Sequence, residues 1–169
     1  MIIAETERLL ISGFSLEDAP FFLKLANTPN WLKYIGDRNL KTVKDAEAYL
    51  TNGTIKSYTD FGFGNYKLQY KQDNKIIGSC GLIKREQLND VELGFAFLPE
   101  FEGKGFGYEA STAVIDAAKN EFHLKKLTAI ILPINTNSIK LINKLGFTYE
   151  KRVKPFEDDQ ELLLFAKTL

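Results

Sequence analysis

The spacing of apolar residues changes several times along the chain, and each change marks an element. RLLIS at 8–12 is a compact apolar run of strand type. Ser15 with Asp18 forms a cap signature ahead of Phe21, Phe22 and Leu25, which fall at helical spacing. Thr42, with Asp45 three residues on, opens a second helix at KDAEAYL; the pattern carries through Ile55 and Tyr58 across Asn52 and Gly53, and DFGFGN at 60–65 ends it. YKLQY at 66–70, the polar turn QDNK and IIGSCGLI at 76–83 predict a hairpin, and VELGFAFL at 91–98 adds a third, antiparallel strand. From residue 107 the period is helical again, with Ser111, Val114, Ile115, Ala118 and Phe122 on one face. KLTAIIL at 126–132 predicts a strand, and 137–145 a short helix that stops at Gly146, suited to a left-handed C′ position, with Phe147 folding back as the apolar C″ residue. FTYEKRV and ELLLFAKTL supply two closing strands. The order β-α-α-β-β-β-α-β-α-β-β predicts an α+β fold, one mixed sheet with helices packed on it, and without linker or repeat it reads as a single domain over 1–169.

Composition narrows the function classes. The 169 residues carry 22 basic and 22 acidic side chains, so neither a nucleic-acid binder nor a membrane-surface binder is expected. The one cysteine, Cys80, excludes an internal disulfide and reads as a core thiol; with charge too early for a signal peptide and no apolar run of spanning length, the expected location is cytoplasmic. No His, Cys and carboxylate cluster has metal-ligand spacing, so no metal is expected. His123 reads as a surface or helix-end residue, and the acidic run FEDDQE at 156–161 either attracts a cationic acceptor or is simply solvated.

FEGKGFGYEAS at 101–111 is the segment that carries chemistry. Three glycines precede a helix, where free N–H groups meet the positive end of the helix dipole. Removing side chains from Gly103, Gly105 and Gly107 lets several amides approach one anion; the alternative is a turn that needs glycine for its shape. The Walker pattern fails because Gly105 follows Gly103-Lys104, and the dinucleotide pattern fails at Tyr108.

A third pattern fits. The segment resembles the Q/R-x-x-G-x-G/A signature of the GNAT superfamily of N-acetyltransferases over Glu102 to Gly107. In the branch that includes the ribosomal-protein N-terminal acetyltransferases, the aromatic-Trp-Gly-Lys-Gly-Tyr-Ala-x-Glu-Ala motif lies over Phe101 to Ala110. That branch's Asn-x-x-Ser and Lys-Leu-Gly-Phe match Asn135, Ser138 and Lys144 to Phe147, and its Thr-Glu-Arg-Leu matches Thr6 to Leu9.

The resemblance implies a splayed pair of central strands, 91–98 and 126–132, and acetyl-coenzyme A as donor. Its diphosphate is expected on the amides of Gly103, Lys104, Gly105, Phe106, Gly107 and Tyr108, and its pantetheine arm beside Phe95, Ala96 and Phe97. Alternation independently puts Glu92, Gly94 and Ala96 on one strand face, a carboxylate next to two small residues, unless a β-bulge intervenes. Glu92 is the candidate general base, against a structural glutamate on an edge. Many family members place a tyrosine on the helix after the second signature as proton donor to the thiolate; here Ile142 stands there, and Ser138 is the substitute, against a capping or cofactor-bonding serine. Asn135 is expected to contact the pantetheine amides, or to serve as a turn residue.

Glu102 and Tyr108 depart from the family pattern; Glu102 is expected to point away from the diphosphate, with Lys104 offsetting its charge. Trp31, Tyr34, Phe61 and Phe63 are the candidates for lining an acceptor pocket, against a role as aromatic core. The function expected is direct acetyl transfer to a primary amine, a peptide N-terminus or a small molecule, by a monomer or homodimer. A non-catalytic acyl-coenzyme A binding module is the rival.

Overall fold

The computed structural model describes all 169 residues. Eight strands form one sheet in the order β1-β2-β3-β4-β5-β6-β8-β7. They are β1 (Ile2–Glu5), β2 (Leu9–Gly13), β3 (Asn65–Tyr70), β4 (Ile76–Ile83), β5 (Val91–Phe97), β6 (Lys126–Ile131), β7 (Thr148–Val153) and β8 (Leu162–Thr168). Every neighbouring pair is antiparallel except β5 and β6, which run parallel and pair only at Val91 with Leu127 and Glu92 with Thr128. Past those two positions the strands part. The expected splayed pair is therefore present.

The helices follow their signals. A single 3-10 turn, Leu16–Asp18, leads into α1 (Ala19–Ala26), and Asp18 accepts from the Ser15 N–H at 2.8 Å. At Thr42 the capping box closes in both directions, Asp45 N–H to Thr42 Oγ1 at 3.1 Å and Thr42 N–H to Asp45 Oδ2 at 2.9 Å. The helix it starts, α3 (Val43–Tyr49), continues across Asn52 and Gly53 as a π-helical stretch, Leu50–Ile55, into α4 (Lys56–Phe61). α5 (Phe106–Asn120) is the long helix after the glycines, and α6 (Thr136–Lys144) ends as expected. Gly146 takes φ +91°, its N–H reaches Asn143 O at 3.0 Å, the Phe147 N–H reaches Ile142 O at 3.1 Å, and the Phe147 ring is buried.

Two elements carry no signal in the pattern. β1 is four residues, half exposed, held by its pairing with β2. α2 (Pro29–Tyr34) is a six-residue helix, too short for a period to show, seated by Trp31.

Two cores result. The larger, 22 buried residues, lies between the sheet and α5 with α6; the smaller, ten residues around α1 to α3, includes Phe22, Trp31, Leu50 and Leu98. Phe95 packs on the first and Ala96 on the second, so β5 stands between them. The register of β4 with β5 runs unbroken from Gly78–Phe97 to Ile83–Glu92. No bulge shifts the faces, and Glu92, Gly94 and Ala96 share the side toward the smaller core.

Candidate active site

A cavity of about 1190 Å³ runs along β5 through the gap between β5 and β6. Gly103 to Tyr108 and α6 wall one half; α2, the π-helical stretch and α4 wall the other, with Glu92 to Phe97 between.

In the first half, the Glu102 N–H bonds to Pro99 O at 3.2 Å and the Glu109 N–H to Gly105 O at 3.1 Å, and no main-chain N–H from 103 to 108 has an acceptor in the protein. Gly103 and Gly105 adopt φ +70° and +83°, a region closed to most side chains, so these two glycines set the loop's course. Gly107 serves another purpose: a Cβ there would stand 2.8 Å from the Leu141 side chain, so its absence lets α5 and α6 approach. The open amides sit at the positive end of the 15-residue α5, with Lys140 and Lys144 on the facing wall. A cradle of this kind fits a diphosphate.

The loop is anchored from the turn just before β2. Arg8 Nε donates to Glu109 Oε2 at 2.7 Å, Arg8 Nη1 donates to Lys104 O at 3.1 Å, and the guanidinium lies 4.0 Å from the Phe106 ring centre. Thr6 Oγ1 and the Arg8 N–H both bond to Glu109 Oε1. Burial raises the Glu109 carboxyl, but the bonds from Thr6 and Arg8 outweigh it and hold it below its ordinary value. The Thr6-Glu-Arg-Leu segment is thus mechanically joined to the glycine segment. Sequence reasoning noted both and missed the joint, because pairing across 101 residues leaves no local signal.

On β5 the Leu98 N–H bonds to Ile77 O at 2.9 Å. Alternation then turns the Phe95 and Phe97 main-chain groups toward β6, which has already parted. They form a free strand edge inside the sheet. Asn135 caps α6, its Oδ1 accepting from the Ser138 N–H at 3.3 Å, which leaves Nδ2 and the Ser138 hydroxyl toward the cavity. Ile142 is fully buried in the core.

Glu92 is 6% exposed. Arg85 Nε donates to its Oε2, while Oε1 has no partner in the protein. Burial pushes the carboxyl above its ordinary value, against the pull of the Arg85 and Arg38 guanidiniums. Neither arginine was singled out from the sequence, since nothing local marks them.

Several expectations need correction. Phe63 does not reach the cavity; it is 7% exposed and packs with Phe61, Phe122 and the large core. Trp31 and Tyr34 do line it, as does Phe61, which is 49% exposed. Trp31 is also core, edge-on to Phe22 with its indole N–H lacking any acceptor. The Lys104 side chain lies over the Phe101 ring, outside the cavity, so only its amide belongs to the loop. The Phe106 ring is buried, and only its amide is available too. Glu102 is exposed but tied, accepting from Asn30 Nδ2 at 2.8 and 2.9 Å, which holds it at the cavity rim. Tyr108 is exposed with the Lys144 ammonium 4.2 Å from its ring centre.

A parted parallel pair, a glycine-built anion cradle and a strand edge between them define an acyl-group transferase of the GNAT type. The chain belongs to that family: the Acetyltransferase (GNAT) domain matches residues 8–148. Among its relatives, the uncharacterized N-acetyltransferase p20 of Bacillus licheniformis is 30% identical over 154 residues, 90% of this chain and 85% of that one. In fold it is similar to a ribosomal L7/L12 alpha-N-protein acetyltransferase solved with coenzyme A, with TM-score 0.86 at 15% identity over 100% of this chain and 98% of that one. It is also similar to the Vibrio cholerae spermidine N-acetyltransferase solved with coenzyme A and spermine, with TM-score 0.80 at 20% identity over 96% of each. No group of three or more His, Cys, Asp or Glu side chains gathers as for a metal, and no helix is long and apolar enough to cross a membrane.

Proposed function

We propose that the protein is an acetyl-coenzyme A dependent N-acetyltransferase that passes the acetyl group directly to a primary amine. The observation that carries this reading is the row of open amides from 103 to 108, continuous through one cavity with the free edge of β5 and the buried Glu92. Donor and acceptor can therefore meet without a covalent enzyme intermediate.

Acetyl-coenzyme A supplies an activated thioester; the remaining contributions are the chain's. The amides of 103 to 108 and the α5 dipole hold the diphosphate. The Phe95 and Phe97 main-chain groups and Asn135 Nδ2 hold the pantetheine arm, and one of the β5 N–H groups meets the negative charge that grows on the carbonyl oxygen. An aliphatic amine of pKa about 10 is mostly protonated at neutral pH, so a base is needed. Glu92 Oε1 accepts that proton, directly or through a water, as the new C–N bond forms and the C–S bond breaks. Ser138 lines the same cavity and is the candidate donor to the leaving thiolate, its hydroxyl recovering a proton from solvent as it gives one up, a role that buried Ile142 has no atom to perform. Trp31, Tyr34 and Phe61 bound the acceptor.

Free-thiol release from acetyl-coenzyme A with a broad amine panel tests the reading. Turnover with at least one amine is expected; stabilisation by acetyl-coenzyme A with no thiol release from any amine would favour the binding-module reading instead.

A further inference from the structure

Three of the chain's four arginines are ion-paired, Arg8 with Glu109, Arg85 with Glu92 and Arg152 with Glu161, and Arg38 is the one that is not. It stands four residues beyond α2, half-buried, in the wall of the acceptor half of the cavity. It makes no hydrogen bond or salt bridge, and its neighbour Asp37 is turned to the Asn39 N–H at 2.7 Å. Glu92 is thus bonded to one guanidinium, Arg85, and shares its cavity with a second, unpaired one, Arg38, whose charge also acts on it.

Two guanidiniums beside one carboxylate at Glu92 bear on what can enter. A partly desolvated guanidinium with no counterion is costly, and its planar fork matches a carboxylate better than any neutral group. A polycation approaching Glu92 would meet Arg85 and Arg38 there, and the other carboxylates of the lining are exposed ones: Asp60, paired with Lys56, Glu102, tied to Asn30, and Glu86. An acceptor that brings its own anion would satisfy Arg38 while presenting its amine to Glu92.

Resting on the transferase reading above, the geometry points to an acceptor that is a compact zwitterion, an amino acid or close analogue whose carboxylate is bound by Arg38 and whose amine faces Glu92. Arg38 is then a specificity-determining residue. The selectivity lies in the side chains of one wall and leaves the donor half untouched.

The test is thiol release with amino acids, with the same amino acids as carboxamides, and with spermidine, on the wild type, Arg38→Met and Arg38→Lys. The carboxamides have the more basic-form amine at neutral pH, so intrinsic reactivity favours them and a preference for the acids must come from the protein. Expected is a kcat/KM at least about tenfold higher for the acids, since a site built to pair a group rejects the analogue lacking it. Arg38→Met should raise KM for the acids by about tenfold or more and change the carboxamides much less, by no more than the loss of its pull on Glu92 brings to all acceptors alike, with Arg38→Lys between. Preference for carboxamides or spermidine, or an equal loss on all acceptors in Arg38→Met, would overturn the inference and leave the transferase standing. Thiol release with none of them would overturn the inference, and the transferase reading falls with it only if the broad amine panel, peptide N-termini included, is also silent beside stabilisation by acetyl-coenzyme A.

Discussion

Glu109 and Arg8 hold each other in a two-point grip: the Arg8 side chain donates to Oε2 at 2.7 Å and its main-chain N–H donates to Oε1 at 2.9 Å. Because Arg8 also reaches Lys104 O, this grip fixes the first turn of α5 and the glycine loop to the turn just before β2. Arg8→Ala should weaken coenzyme A binding by about tenfold while costing about 1–2 kcal/mol of stability, the size of a partly exposed charge-assisted bond. Calorimetric titration and a thermal melt read the two effects separately. The pH dependence has a definite sign: the folded Glu109 carboxyl lies below its unfolded value, so its contribution is present above about pH 4.3 and is lost as pH falls through the folded value. The stability gap between wild type and Glu109→Gln should close on acidification.

Gly105 holds φ +83°, where a β-branched residue is strained. Gly105→Val should cost about 1–2 kcal/mol locally and displace the amides beside it, so that coenzyme A binding falls far more than the melting temperature. Gly105→Ala should do the same to a lesser degree. Unaltered coenzyme A affinity in the valine variant would mean that the diphosphate sits elsewhere.

Glu92 offers a pH test of its own. Burial places its pKa above the ordinary carboxylate range, so kcat/KM should decline as pH drops through that raised value and the base becomes protonated. Glu92→Gln should lower kcat by about 10²–10⁴ and lose that acid limb. A variant with the wild-type pH profile would remove Glu92 from the chemistry.

Phe61 and Phe63 are stacked neighbours, ring centres 6.0 Å apart, on opposite sides of the functional boundary. Phe63→Ala should cost about 3–5 kcal/mol as a core truncation and leave the acceptor KM alone in the folded fraction. Phe61→Ala, at a half-exposed cavity position, should reverse the pattern: little change in melting temperature and a raised acceptor KM.

What the sequence made legible follows from what is local. The capping box at Thr42, the stop at Gly146 and Phe147, and the alternation of Glu92, Gly94 and Ala96 are each written within a few residues, and each stands as read. The loop's course is equally local, since glycines at positive φ announce themselves. Phe61 and Phe63 were indistinguishable because composition says aromatic and only packing says which one faces the cavity. The arginines were illegible for the same reason. Arg8, Arg38 and Arg85 act through partners or spaces brought together by the sheet, and no window of sequence contains both members of the Arg8–Glu109 pair.

The early parting of β5 from β6 has a consequence for how such a protein diversifies. On the reading proposed above, its donor seat is assembled mainly from peptide groups on a course that Gly103 and Gly105 set, whereas the opposite wall is assembled from Trp31, Tyr34, Arg38 and Phe61, which are individually replaceable. On that reading, mutation can drift across one wall and retune the choice of amine while the thioester berth persists wherever the loop glycines are kept. Relatives at low identity can keep the same currency and trade with different customers.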